Sequence, residues 1–150
     1  MAVLDQERVQ HVLRRSRIAQ VATLSPKNRP FMTPLWFVMH AGVLYITTGP
    51  GSRAGINIVV HPEITVLFQD VDDERRVLRM RGLASCRQGL PPWPALLQLA
   101  RKYYLPPRAV LVELRHARLW PLRQLYYGQA KGGVGHIRVE PIAADFLSRP

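Results

Sequence analysis

Ser52 and Arg53, directly after Gly49-Pro50-Gly51 and ahead of an apolar stretch that stops at Pro62, are the residues best placed to do chemistry in this chain. Residues 44–48 are apolar and rich in β-formers, the glycines and proline break that run, and Ser52 is suited to cap a helix through Val60. A strand, a Gly-rich turn and a helix N-terminus would bring free amides, the positive end of a helix dipole and a guanidinium into one small volume. That set favours an oxyanion: the amides and dipole attract negative charge, and an Arg fork can grip two phosphate oxygens. A Ser-capped helix that binds nothing is the other reading of the same residues. Asn57, four residues after Arg53, is expected on the same helical face. Spacing excludes better-known phosphate loops. Neither Gly49 to Arg53 nor Lys131-Gly132-Gly133-Val134-Gly135 has the Gly, four residues, Gly-Lys-Ser/Thr pattern, and no GxGxxG follows a strand.

Other reactive residue types show no working constellation. His11, His40, His61, His116 and His136 never fall at HxxxH or HExxH spacing, so no metal site is expected. No Ser-His-Asp or Cys-His order is evident, and Cys86, the single cysteine, cannot form an intrachain disulfide and reads as structural.

Ile46-Thr47-Thr48, Gly51-Ser52-Arg53-Ala54, His61-Pro62 and Val66-Leu67-Phe68, together with Pro30 to Phe37 and with Glu74-Arg75-Arg76-Val77 followed by Gly82, carry a resemblance. In order and spacing they resemble the pyridoxamine 5'-phosphate oxidase-like, flavin-binding split β-barrel proteins, over residues 17–86. The resemblance implies a mostly β (α+β) fold, a six-stranded split β-barrel with a few short helices. It implies a homodimer with the cofactor at the subunit interface: FMN, or alternatively a deazaflavin coenzyme (F-420). Thr47, Thr48, Ser52 and Arg53 would hold the phosphate with Arg76 assisting, and Met32, Thr33, Pro34, Leu35 and Trp36 would run along the ring. The family's Lys after Ser-Arg is Ala54 here, which removes one positive charge, and Asn57 matches a position that often carries Asn in deazaflavin-binding relatives. One class of relatives binds haem through a single His on this barrel, so a haem or flavin carrier stands as the alternative to an oxidoreductase acting on a small-molecule substrate. Catalytic side chains are not legible, because in flavin enzymes the cofactor carries the hydride. Leu114-Arg115-His116-Ala117-Arg118 echoes the segment with which the true oxidases grip pyridoxamine phosphate, but it precedes Trp120 where theirs follows a Trp, so that substrate is not expected.

Length and composition suit this frame. A chain of 150 residues reads as one domain, 1–150, and 47% hydrophobic residues without an 18-residue apolar run predict a soluble globular protein with no membrane span. The N-terminus lacks the apolar core of a signal peptide, which makes a cytoplasmic location the default. The balance of 21 Lys plus Arg against 10 Asp plus Glu, a net +11, would attract anionic ligands, nucleic acid or membranes without choosing among them. No recognition helix, zinc-finger spacing or RNA-binding aromatic signature accompanies it, so nucleic acid is a secondary reading and Arg enrichment by base composition the bland one.

The elements that must position the Ser-Arg turn follow from periodicity. A first helix is expected over residues 4–16, with Val9, Val12 and Leu13 on one face. Strands are expected over 18–24, 31–39, 43–48, 63–69, 75–86 and 109–120, with helices over 52–60 and 91–104. Tyr126-Tyr127-Gly128 and residues 131–135 read equally as a lid over the ring or as surface turns. Many short strands with few helices favour a barrel over a βαβ sheet.

Overall fold

The computed structural model describes residues 6–103 and 135–148. The chain begins with α1 (Glu7–Arg15), then runs through β1 (Ala19–Leu24), β2 (Pro30–Leu35), β3 (Phe37–His40) and β4 (Val43–Ile46). After these come α2 (Arg53–Val60), β5 (Glu63–Gln69), β6 (Arg76–Gln88), α3 (Trp93–Tyr103) and β7 (Gly135–Ser148). The seven strands among the described residues form one antiparallel sheet in the order β2-β1-β5-β6-β7-β4-β3. The mostly β split-barrel class expected from sequence is the one observed, with seven strands among the described residues where six were expected.

Curvature of the sheet follows from connectivity. β2 and β3 lie at opposite edges, yet Trp36 alone joins them. Seven flat strands would hold those edges about 29 Å apart at the usual strand spacing, whereas two residue steps reach about 7 Å. The sheet therefore curls until its edges meet at Trp36, and the concave face closes over Phe37, Leu44, Ile46, Phe68, Leu78, Met80 and Ile137, all fully buried. Phe37 and Phe68 meet at 4.7 Å between ring centroids in a tilted pair. α1 adds Val9, Val12 and Leu13 to the same core, as its apolar periodicity predicted.

Three boundaries differ from expectation for physical reasons. The run over 31–39 is two strands, because the chain must leave one sheet edge and join the other at Trp36; Pro34, which lacks an N–H, is accommodated because β2 is an edge strand. The strand begun at Val43 ends at Ile46, one step before the Thr47 amide makes a last cross-strand bond to the Trp36 carbonyl at 3.1 Å. β7 was not foreseen, since Pro141 interrupts its pattern. The register resolves this: Arg81 pairs with Ala143 and Gly82 with Pro141, so Ile142 bulges out of the ladder where the proline sits. Gly82 permits the close approach there, as a Cβ on it would lie 2.7 Å from the Glu140 carbonyl oxygen. The strand expected over 109–120, with residues 114–118, 126–128 and 131–134, lies outside the described residues.

α3 packs outside the sheet, placing Ala95, Leu99 and Tyr103 against Val38 and Tyr45. Its last residue ties three elements: the Tyr103 hydroxyl accepts the Phe37 amide at 3.1 Å and donates to the Arg17 carbonyl at 2.8 Å. Trp36 stacks on its ring at 4.5 Å and 6°. No helix among the described residues is long and apolar enough to cross a membrane. Tyr103→Phe should leave the buried Phe37 amide without its acceptor and lower unfolding stability by about 1–3 kcal/mol. Urea denaturation checks this, and an unchanged midpoint would show that the hydroxyl does not brace the β2–β3 corner.

A phosphate-sized anchor beside an open sheet edge

The turn between β4 and α2 is built by its own short-range chemistry. Ser52 has the extended φ and ψ of an N-cap, and its Oγ accepts the Gly55 amide at 3.0 Å while donating to the Gly49 carbonyl at 2.7 Å. Its backbone amide also donates to that carbonyl, at 3.1 Å. Ser52 therefore shapes the turn, and in this geometry its hydroxyl proton is committed to Gly49. Gly55, which sequence reasoning passed over, is what lets the helix sit so low on the turn. A Cβ at Gly55 would lie 2.7 Å from the Gly49 carbonyl oxygen and 2.8 Å from that of Pro50. The Gly-Pro-Gly-Ser-Arg-Ala-Gly run held this signal, since a small residue at the third helical position allows close backbone contact.

The first-turn amides of Arg53 and Ala54 have no acceptor among the described residues, as expected of an open helix N-terminus. Arg53 is exposed, makes no ion pair among those residues, and lies with its guanidinium carbon 5.0 Å from the centroid of the Phe31 ring. The ring keeps the cation beside β2 while leaving its N–H fork unused. The Thr47 hydroxyl makes a long contact of 3.5 Å to the Trp36 carbonyl, and the half-buried Thr48 hydroxyl makes no hydrogen bond among the described residues. Thr47, Thr48, Ser52 and Arg53 thus occupy one turn beside the edge strand that carries Met32, Thr33, Pro34 and Leu35 and leads into Trp36. Along that edge Met32 is 55% exposed and Pro34 is exposed, while Thr33 and Leu35 are half-buried.

Two residues assigned to the site by sequence sit elsewhere. Asn57 is 0% exposed; its Nδ2 donates to Thr23 Oγ1 at 2.9 Å, and its Oδ1 is buried without a partner among the described residues. It faces the barrel and ties α2 to β1, whereas Arg53 faces outward, because four positions along a helix give neighbours and not equal exposure. Arg76 is separated by the register: Met32 pairs with Ala22, Ala22 with Thr65 and Thr65 with Arg81, which places Arg76 about 17 Å further along β6. There it faces Asp73 at 3.6 Å and Asp70 at 4.0 Å and lies over Phe146. Within one chain Arg76 does not reach the turn.

Cys86 is half-buried on β6, and burial pushes its thiol up, away from the thiolate a nucleophile needs. No three His, Cys, Asp or Glu side chains gather as metal ligands among the described residues. Gly55→Ala should push the helix off the turn, because the atoms in the way are backbone. The expected outcome is a loss of stability of about 1–3 kcal/mol, with amide exchange rising first at the turn. A variant as stable as the parent would show that the close packing is not required.

The sequence matches the family model described as Pyridoxamine 5'-phosphate oxidase over residues 5–114. No curated protein sequence matches the chain. Among solved structures, an F420 reductase is similar at 23% identity, with a TM-score of 0.61 over 91% of this chain and 94% of that one. A conserved hypothetical protein from Mycobacterium tuberculosis aligns at 16% identity and a TM-score of 0.67, over 97% of this chain and 86% of its own. HutZ, the heme storage protein from Vibrio cholerae, aligns at 13% identity and 0.56, over 95% and 93%. At these identities the structures speak for the fold alone; with the family match spanning most of its length, the chain belongs to the pyridoxamine 5'-phosphate oxidase family.

Proposed function

We propose that this protein is a flavin-type oxidoreductase, binding FMN or a deazaflavin coenzyme and acting as a homodimer on a small organic substrate. The observation that carries the reading is the unpaired Arg53 guanidinium, held beside two open helix-N-terminal amides at the margin of an exposed sheet edge. These groups fit a phosphate: the amides of Arg53 and Ala54 and the guanidinium all donate, the helix dipole adds to their pull, and Thr48 offers a further hydroxyl. Ser52 and Gly55 hold those donors in place. Ala54 supplies no charge where relatives carry Lys, so Arg53 is the principal cation of the anchor.

The bound cofactor would supply hydride chemistry. The chain's own contribution is to anchor its phosphate at α2 and to lay a flat apolar surface along Met32 to Trp36, where backbone groups on the outer side of the edge strand can contact polar ring atoms. A family F420 reductase of the same fold supports the deazaflavin option, and a heme storage protein of that fold supports a carrier as the alternative.

Self-association is supported by α2, which turns Ile56, Val59 and Val60 outward, with Val59 78% exposed. Arg53→Ala should weaken binding of the accepted cofactor by about 1.5–3 kcal/mol, the loss of a charge-assisted contact. Fluorescence titration with FMN and the deazaflavin separately measures it; unchanged affinity would sink the anchor, and a Soret band in the purified protein would move the reading to a haem carrier. Ile56→Asp with Val59→Asp should convert a sedimenting dimer to monomer, whereas a dimer unaffected by both charges would place the interface elsewhere.

A further inference from the structure

A second concentration of positive charge lies away from the α2 turn, in a cleft of about 700 Å³ between the end of α1, the end of α3 and the adjoining ends of β1 and β5. Arg14, Arg15, Arg17 and Lys102 line it together with the amide side chains of Gln20 and Gln69, and no carboxylate does among the described residues. We propose that this cleft is a binding site for a compact organic or inorganic polyanion bearing phosphate or carboxylate groups.

Charge alone would be weak ground in a chain of net +11. Cations in the last turn of a helix also have a bland explanation, since they oppose the helix dipole, and that accounts for Arg14 and Arg15. It applies equally to Lys102 in the last turn of α3, but not to Arg17, which lies beyond the cap of α1, and it does not explain why both helix ends converge on one cleft. Acidic residues are close at hand in the loop after β5, and they are engaged elsewhere. Asp72 binds His11 at 2.6 Å, and Asp70 and Asp73 face Arg76. Asp72 reaches Arg15 only through its longer-range field. None of the three arginines forms an ion pair among the described residues.

Its walls are also built in advance. The Tyr103 hydroxyl holds the Arg17 carbonyl, and Lys102 Nζ donates to the Leu13 carbonyl at 3.3 Å while lying 3.6 Å from the centroid of Phe37. Burial, and then the neighbouring Arg17 charge, pull the Lys102 ammonium down to about 8. Its carbonyl and ring contacts carry no counter-charge and no carboxylate pairs with it among the described residues, so an anion in the cleft would relieve both Lys102 and Arg17. A cleft of this size takes a small molecule, not a single halide. Gln20 pairs with Pro34, three residues from the Phe31 that carries Arg53, which puts the cleft at the opposite end of β2 from the phosphate anchor. The cleft is therefore distinct from the phosphate anchor, while its Gln20 wall adjoins Pro34 of the surface offered to the cofactor ring.

The test is calorimetric titration of the full chain with inorganic pyrophosphate and, separately, with citrate, at two salt concentrations. Saturable binding of at least one probe at a site that survives Arg53→Ala, and so is not the α2 anchor, is expected, and its preference between them says whether phosphate or carboxylate is the better match. Arg17→Gln should weaken it by about tenfold or more. Arg101→Gln removes the same charge from α3 outside the cleft and should leave affinity within about twofold, as should Arg53→Ala. Failure of both probes to saturate, equal weakening by Arg17→Gln and Arg101→Gln, or loss of binding in Arg53→Ala would each overturn the proposal.

Discussion

A single covalent link governs this structure: Trp36 alone carries the chain from one edge of a seven-stranded sheet to the other. The sheet can satisfy that link only by curling, and the curl creates the enclosed core. It also fixes what surrounds the joint. The Trp36 carbonyl meets the Thr47 amide, which starts the turn into α2, and its indole lies on Tyr103, whose hydroxyl holds Arg17. The anchor turn and the basic cleft are thus both braced from the closure point, one through β4 and the other through α3.

Closure explains why the anion-facing groups are well placed without being buried. Arg53 stands on Phe31 of the edge strand, and the first amides of α2 open outward from a turn already satisfied by Ser52 and compressed by Gly55. Preorganised donors of this kind lose little freedom when an anion arrives. Elsewhere the arginines are used differently. Arg79 binds Asp145 across the β6–β7 pair, Arg138 binds Glu140, and Arg76 faces two aspartates. The exposed pairs Arg79–Asp145 and Arg138–Glu140 contribute little to stability. Among the described residues these pairs, with those of Arg76, engage acids on β7 and in the loop after β5, and leave Arg53 at the α2 turn and Arg14, Arg15 and Arg17 at the cleft without an ion pair.

Much of this was legible in the residues because it is local. Gly49-Pro50-Gly51 breaking a β run, Ser52 capping a helix that ends before Pro62, and the alternation in β5 and β6 are decided within a few residues of one another. Spacing and order over residues 17–86 were enough to point to the family. β7 was hidden because Pro141 reads against a strand in isolation; only the register with Gly82 reveals a bulge that accommodates it. Gly55 was overlooked because its role is set by what lies above it, the carbonyls of Gly49 and Pro50.

The sequence by itself determined the anchor's chemistry, since capping, turn breaking and helix polarity act over one or two turns of chain. Tertiary structure decided which residues share that anchor. Asn57 and Arg53 are neighbours on one helix, but packing against β1 buries one and leaves the other exposed. Arg76 carries the right charge, but antiparallel register moves it far along the sheet to its own aspartates. Arg17 and Lys102, 85 residues apart, become neighbours only when the closed barrel brings the ends of α1 and α3 to one corner. Pairings at such separations depend on how the sheet closes, and no local pattern of residue types carries that information.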